Sequence, residues 1–310
     1  MIAMVAALLL GAFLVFRLVY QQPPAPIPSP PPPVPDAALP SQPAPAEAEH
    51  GAVVAATRGR VELLSRGEDW SEASVGVRLG PEDAIRTGPG AEADLQFGEE
   101  STITVAERAQ VVVREVSEAT QPLTLRKGRV TADWKQGARR LVIEDETGKV
   151  VAATKAARFS VLAAGESFVV ATQTGTVNLD AAGASIAIKG GETSRVDKGK
   201  APTPAQPLTK ELLLKVAAAQ VAREGVCAVI KGSTEPGAEV LIDGEPVEID
   251  AQGRFSISVP RRAGREGVRV TTRDVAGRER EKMIACQAVT PEREKPIEGM
   301  GVRWRVEGEE

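Results

Sequence analysis

Apolar positions along this chain follow three rhythms. Residues 2–20 (IAMVAALLLGAFLVFRLVY) hold an unbroken apolar run from Ile2 to Phe16, then Arg17, then Leu18 to Tyr20. A membrane-spanning helix needs about 20 mainly apolar residues, so a transmembrane anchor is predicted over 1–20. Arg17 would snorkel to the headgroups, and Tyr20 would sit at the interface. A cleaved signal peptide is the other reading, but the nearest small-x-small site, Ala46-Glu47-Ala48, lies far beyond the run. No Lys or Arg precedes the run, so loop charge does not orient the helix. The missing basic flank leads us to expect that the true start lies upstream.

The second rhythm is period-two alternation. It runs through residues 50–200 in short stretches such as Ala93-Asp94-Leu95-Gln96-Phe97, Ser101-Thr102-Ile103-Thr104-Val105 and Leu141-Val142-Ile143, punctuated by Gly, Asp and Pro. Such alternation predicts many short strands with one buried face. Gly-x-Val recurs at Gly59, Gly128, Gly148 and Gly175 with irregular spacing, which reads as a turn feeding a strand rather than a strict repeat. Alternation returns over 225–289, for example in Glu239-Val240-Leu241-Ile242 and Val268-Arg269-Val270-Thr271. Turns there are marked by Asp243-Gly244, Gln252-Gly253 and Ala276-Gly277. Six or seven strands in this span predict a small β-sandwich.

The third rhythm is helical. In LTKELLLKVAAAQVAR (208–223), Leu212, Leu213, Val216 and Val221 share a stripe, Thr209 is a candidate N-cap and Gly225 a candidate stop. A connector helix is therefore predicted over 207–224. The fold expected from the whole pattern is mainly β, with an N-terminal transmembrane helix, an all-β domain, the connector helix and the sandwich.

Composition adds two segments and removes several functions. Twelve of the 23 prolines fall between Pro23 and Pro45, so residues 21–49 read as an extended polyproline-type linker that buries no core. The tail, 290–310, is charged. With 38 basic and 42 acidic residues and only ten Phe, Trp or Tyr among 310 residues, there is neither a basic bias nor a set of stacking platforms for nucleic acid. A single histidine, His50 in the linker, argues against His-dependent triads and most His-ligated metals. No nucleophile motif or phosphate loop is present, and Gly199-Lys200 lacks the glycines that would precede it in one. The expectation is a non-enzyme without cofactor or metal.

Cys227 and Cys286 are the two cysteines and lie in the first and last strands expected for the sandwich. A disulfide between them fits neighbouring terminal strands and an oxidising compartment; two buried free thiols are the alternative. With the anchor and the proline segment, the bond places the bulk of the chain in the periplasm of a single-pass inner-membrane protein.

The stretch from Gly51 to about Lys198 resembles the FecR-type periplasmic domain. The resemblance is carried by Gly59-Arg60-Val61 with Trp70, by Leu79-Gly80-Pro81-Glu82-Asp83-Ala84-Ile85-Arg86-Thr87-Gly88, by Leu125-Arg126-Lys127-Gly128-Arg129-Val130, by Ala156-Ala157-Arg158-Phe159-Ser160-Val161, and by Gly175-Thr176-Val177. It implies an all-β envelope domain that, in its family, relays a signal from an outer-membrane receptor to a sigma factor. Such regulators carry a cytoplasmic segment ahead of the membrane helix. Residues 225–289 resemble bacterial immunoglobulin-like modules at Gly232-Ser233-Thr234-Glu235-Pro236-Gly237, Asp250-Ala251-Gln252-Gly253-Arg254-Phe255 and Asp274-Val275-Ala276-Gly277. Such modules serve as spacers or binding units.

Three candidate sites stand out. Arg86-Thr87-Gly88 reads as a contact site or as a turn in which Gly88 supplies backbone freedom and Thr87 bonds locally. Asp243, Asp250 and Asp274 read as calcium ligands or as turn residues. The run 254–282 carries nine basic against four acidic residues. Arg261, Arg262, Arg265, Arg269 and Arg273 within it form either a patch for anionic lipid or acidic polymer, or a solvated face. The partners expected are an envelope protein or a cell-wall polymer, with the membrane held through the N-terminal helix. The function expected is that of a sensor or assembly component; an architectural peptidoglycan- or polysaccharide-binding role is the alternative.

Overall fold

The computed structural model describes residues 51–65, 69–115, 117, 119–137, 139–219 and 225–286, all within one compact unit. The predicted anchor (1–20), proline linker (21–49) and charged tail (290–310) lie outside the described residues. Among the described residues no helix is long and apolar enough to cross a membrane.

Residues 52–207 form sixteen strands that fold into two facing sheets. Alternation decides which side chains go inward: Glu92–Phe97 and Ser101–Val105 bury every second residue. Leu95, Ile103, Leu125, Ile143, Phe159 and Leu179 are among the fully buried core residues. The long strands Thr120–Trp134 and Ser167–Ala181 belong to both sheets. The first half of Thr120–Trp134 pairs in parallel with Arg140–Asp145, and its second half pairs with Ala157–Ala164. The first half of Ser167–Ala181 pairs with Glu192–Asp197, and its second half with Ala184–Lys189.

The chain passes from one sheet to the other repeatedly, and seven of these crossings lie near Gly59, Gly88, Glu107, Gly128, Ala156, Gly175 and Gly190. The first four crossings gather at one corner. There Gly88 N donates to Arg60 O at 2.8 Å, Arg108 N to Gly88 O at 3.2 Å and Ala106 N to Arg129 O at 3.0 Å. The last three gather at the other end of the shared strand, because Ala163 pairs with Gly128 whereas Ala157 pairs with Trp134. At these corners backbones approach too closely for side chains. A Cβ on Gly128 would lie 2.5 Å from Ala109 Cα, and one on Gly175 would lie 2.6 Å from Ala156 O; both residues have φ +82°. The irregular spacing of Gly-x-Val follows from this. Gly59, Gly128 and Gly175 are sheet-switching corners, whereas Gly148 turns the Arg140–Asp145 and Val150–Thr154 hairpin.

Residues 214–286 build a second body with seven strands in two sheets. Leu214–Ala219, Val226–Thr234 and Arg254–Pro260 form one; Glu245–Val247, Glu239–Ile242, Gly267–Arg273 and Glu279–Ala285 form the other. Cys227, Ile230, Phe255, Val240, Val268 and Ile284 meet between them. The Cys227–Cys286 disulfide, with Cα atoms 4.5 Å apart, joins the first sheet to the end of the second. No cysteine is free.

The predicted connector helix is corrected. Leu214–Ala219 is a strand, paired from Leu214↔Thr234 to Ala219↔Val229, and 220–224 lie outside the described residues. Of the predicted stripe Val216 alone falls in this strand; with Leu214 two residues earlier it makes one strand face, and both pack against the second core. Helix propensity differs by only tenths of a kcal/mol per residue, so a ladder plus core burial outweighs it. Thr209 caps no helix: its hydroxyl donates to Glu235 Oε1 at 2.8 Å.

Gly128→Val is expected to cost about 3 kcal/mol or more, from left-handed strain and overlap with Ala109. Gly165→Ala has φ +57° but open space and should cost about 1–2 kcal/mol; urea unfolding separates the two. Replacing Cys227 and Cys286 together with alanine should cost about 4 kcal/mol by loop entropy, read in the same titration.

Candidate interaction surface at the seam of the two bodies

The second body packs on the outer face of the first. Leu162, Val169 and Ala171, which point away from the first core, meet Val275, with Ala164 and Leu208 alongside. Two turns of the second body press in closely at glycines of positive φ, +81° at Gly237 and +80° at Gly277. A Cβ on Gly237 would lie 2.5 Å from Val169 Cγ2, and one on Gly277 would lie 2.8 Å from Arg129 Nη1.

Arg273 is the polar centre. Pairing places Glu239, Arg273 and Glu279 in one row across three adjacent strands. Arg273 Nε donates to Glu279 Oε1 at 2.6 Å and Nη1 lies 3.7 Å from Glu239. Its Nη2 donates to Glu107, which the first body presents from the crossing between Ser101–Val105 and Gln110–Val113. Beside it Arg108 Nη2 reaches Glu245 Oε1 at 3.3 Å. The Arg273 side chain is only 11% exposed, so removing the cation would strand buried carboxylates.

Burial shapes the titration here. Desolvation works against the ionised form of Glu107, but the Gly90 N–H and Arg273 outweigh it and hold the carboxyl below its ordinary value. For Glu239 desolvation dominates over the attraction of Arg273, and its pKa is raised. Desolvation and then the charge of Arg273 push Arg129 down. Its Nε is buried without a hydrogen-bond partner, and its Nη1 bonds Thr131 Oγ1 at 3.3 Å.

Residues 208–213 are strapped to both bodies. Leu208 N donates to Gly191 O at 2.8 Å, Arg278 Nη1 to Thr209 O, and Arg280 Nη1 to Leu212 O at 3.0 Å. Two clefts flank this junction. One of about 390 Å³ is lined by Arg195, Leu208, Glu235 and Arg278 among others. The second, of about 430 Å³, lies beside Glu107, Arg108, Arg269, Arg273, Glu281 and Met283.

Three of the five arginines considered as a patch or a solvated face are in ion pairs. Arg273 serves the seam, Arg265 Nη2 donates to Asp243 Oδ2 at 2.6 Å, and Arg269 lies 3.3 Å from Glu281. Arg261 and Arg262 follow the strand Arg254–Pro260, and Arg261 N donates to Gly225 O. The three aspartates hold turns apart from one another. Asp243 accepts from Arg269 N at 2.8 Å, Asp250 from Gln252 N and Arg254 N, and Asp274 from Arg278 N and Nε. Thr87 does not bond locally. Its hydroxyl donates to Ala106 O at 2.5 Å and accepts from Ala109 N at 3.0 Å, tying two corner crossings together. Gly88 lacks a positive φ; a Cβ there would meet Arg60 Cβ at 3.4 Å. Sequence reasoning missed Glu107, Arg129 and Glu239, whose shared environment arises only from the docking of the two bodies.

Residues 83–178, which lie inside the first body, match the family described as FecR protein. Two crystal structures of a protein described as a candidate anti-sigma factor from Parabacteroides distasonis are similar, at 12% identity and TM-score 0.36, over 40% of this chain. The matched region covers 59% of that protein. A polysaccharide lyase is similar at 12% identity and TM-score 0.20, over 76% of this chain and 39% of its own. No curated protein matches.

Arg273→Met should loosen the seam at neutral pH, seen as faster protease cleavage between 207 and 214. Glu107→Gln should destabilise at neutral pH, with the deficit vanishing as pH falls through the lowered pKa of Glu107. Glu239→Gln should have the opposite effect. The stability the neutral carboxyl supplies in acid is lost in wild type as pH rises through its raised pKa, so the variant gains on wild type towards neutral pH. Urea midpoints across pH check both signs.

Proposed function

We propose that this FecR-domain chain is a membrane-anchored envelope protein that acts outside the cytoplasm by contact with another macromolecule, as a sensor or assembly component. The observation that carries the reading is the Cys227–Cys286 disulfide, which uses every cysteine in the chain. Disulfides of this kind persist in oxidising compartments. The FecR match over 83–178 supports a role in signal transduction. The apolar run 2–20 and the prolines that follow support a tether that holds the β bodies off a bilayer.

The second body supports an immunoglobulin-like reading, because its three-plus-four strand partition is that of a small sandwich of this kind. Its role in the proposal is to stiffen and extend the FecR domain. The buried Arg273 row and the Val275 contact give the two bodies one shared surface, so a force or ligand felt by one is transmitted to the other. We place the protein in the inner membrane with its bulk in the periplasm, working without catalysis.

Alkaline phosphatase fused after Glu310 should be active in cells; an inactive fusion refutes the placement. Mild cross-linking in native membranes followed by mass spectrometry should recover a receptor, a sigma factor or an assembly protein. Recovery of peptidoglycan or polysaccharide fragments alone would overturn the sensor reading in favour of an architectural one.

A further inference from the structure

Sheets in soluble proteins protect their outermost strands, because unpaired N–H and C=O groups recruit other chains. The first body ends its sheets with two-residue strands at three places: Arg78–Leu79, Ser71–Glu72 and Gln206–Pro207. The fourth edge differs. Ala184–Lys189 is six residues long, pairs with Ser167–Ala181 on one side and with no described strand on the other.

Its geometry shows which backbone groups are presented. Ala182 (φ 49°) and Gly183 (φ 77°) form a two-residue hairpin loop between Ala181 and Ala184, as in a type I′ turn. In such a hairpin Ala181 and Ala184 exchange both hydrogen bonds, and alternate pairs repeat the pattern. The N–H and C=O groups of Ala184, Ile186 and Ile188 therefore face the hairpin partner, while those of Ser185, Ala187 and Lys189 face outward. One contact confirms the parity and takes one of these donors: Lys189 N donates to the Glu192 carboxylate at 2.8 Å, so the outward groups left for a partner are the N–H of Ser185 and Ala187 and the carbonyls of all three residues. Ser185, Ala187 and Lys189 are exposed.

We propose that Ala184–Lys189 is a homotypic docking edge that pairs antiparallel with the same strand of a second copy, about a two-fold axis at Ala187. A second copy is favoured because the edge complements itself. Its side chains are small at Ser185 and Ala187, and the Glu192 carboxylate that caps Lys189 N stands at one end of the edge, opposite Ser185 of the partner, whose hydroxyl can donate to it. Its one charge, Lys189, falls opposite Ser185 of the partner in this register. Beyond that serine, in the same row, lies Asp180 of the partner, since Ser185 pairs with Asp180. The two lysines sit at opposite ends, each directed toward an acid. The result is one continuous sheet across two molecules, an isologous contact. A single shared strand makes a small interface, so the association is weak and concentration-dependent.

The register makes the proposal testable by cysteine placement in the full chain, whose own cysteines are already bonded to each other. Directly opposed residues in a hydrogen-bonded antiparallel pair have Cα atoms about 5.5 Å apart, within disulfide reach. Under mild oxidation Ala187→Cys should give a covalent dimer and Ser185→Cys alone should not, whereas a mixture of Ser185→Cys and Lys189→Cys should. Ala187→Pro removes an outward N–H without touching the hairpin ladder. It should keep wild-type thermal stability and sediment as a monomer where wild type self-associates. A monomeric Ala187→Cys under oxidation, equal cross-linking by Ser185→Cys, or cross-linking of Ala187→Cys to a different protein would each overturn the proposal.

Discussion

The close approach of backbone at the two corners of the first body is the constraint on which its architecture depends. Strands that change sheet must bend sharply, and several do so at the same level, so each crossing rests on the next. Gly128 sits against Ala109 and Gly175 against Ala156 and Ala157, at distances that exclude any side chain. Because Thr120–Trp134 and Ser167–Ala181 run through both sheets, the corners set how the two inner faces oppose one another, and with them the single core between. Thr87 belongs to the same device, since its hydroxyl satisfies backbone groups that the bend would leave unpaired.

The docking of the second body is a different kind of contact. Its apolar part is small, centred on Val275 against Leu162 and Val169, and its specificity comes from charge. Arg273 is held by carboxylates from its own sheet and by one carboxylate from the first body. A buried arginine of this sort adds little net stability against an apolar alternative, but it is costly to break. It therefore fixes one relative placement of the bodies. Glu107 and Glu239 respond to pH in opposite senses: both are desolvated, but the Gly90 N–H and Arg273 together outweigh desolvation at Glu107, whereas at Glu239 desolvation prevails.

Much of this was legible in the chain. Strands such as Glu92–Phe97 were visible from strict alternation, and the motif order pointed to the FecR domain. The position of Cys227 and Cys286 at the two ends of one β segment pointed to their bond. Leu214–Ala219 was misread because Leu212, Leu213, Val216 and Val221 suit a helical stripe, whereas the chain uses the i, i+2 face of Leu214 and Val216, a choice made by the open edge of Val226–Thr234. For the arginines of 254–282 a patch and a solvated face stayed open, because sequence shows charge density and not the direction in which each side chain points.

Local chemistry, then, is what the sequence by itself determined: which segments alternate, where glycine must bend the chain, and which half-cystines lie at the ends of a domain. These depend on neighbours within a few residues, so they survive being read one residue at a time. Which crossings stack, where Thr87 bonds, and why Arg273 meets Glu107 across a separation of 166 residues were decided only by tertiary structure. They depend on long-range pairing and on desolvation, and both arise only when distant segments exclude water together.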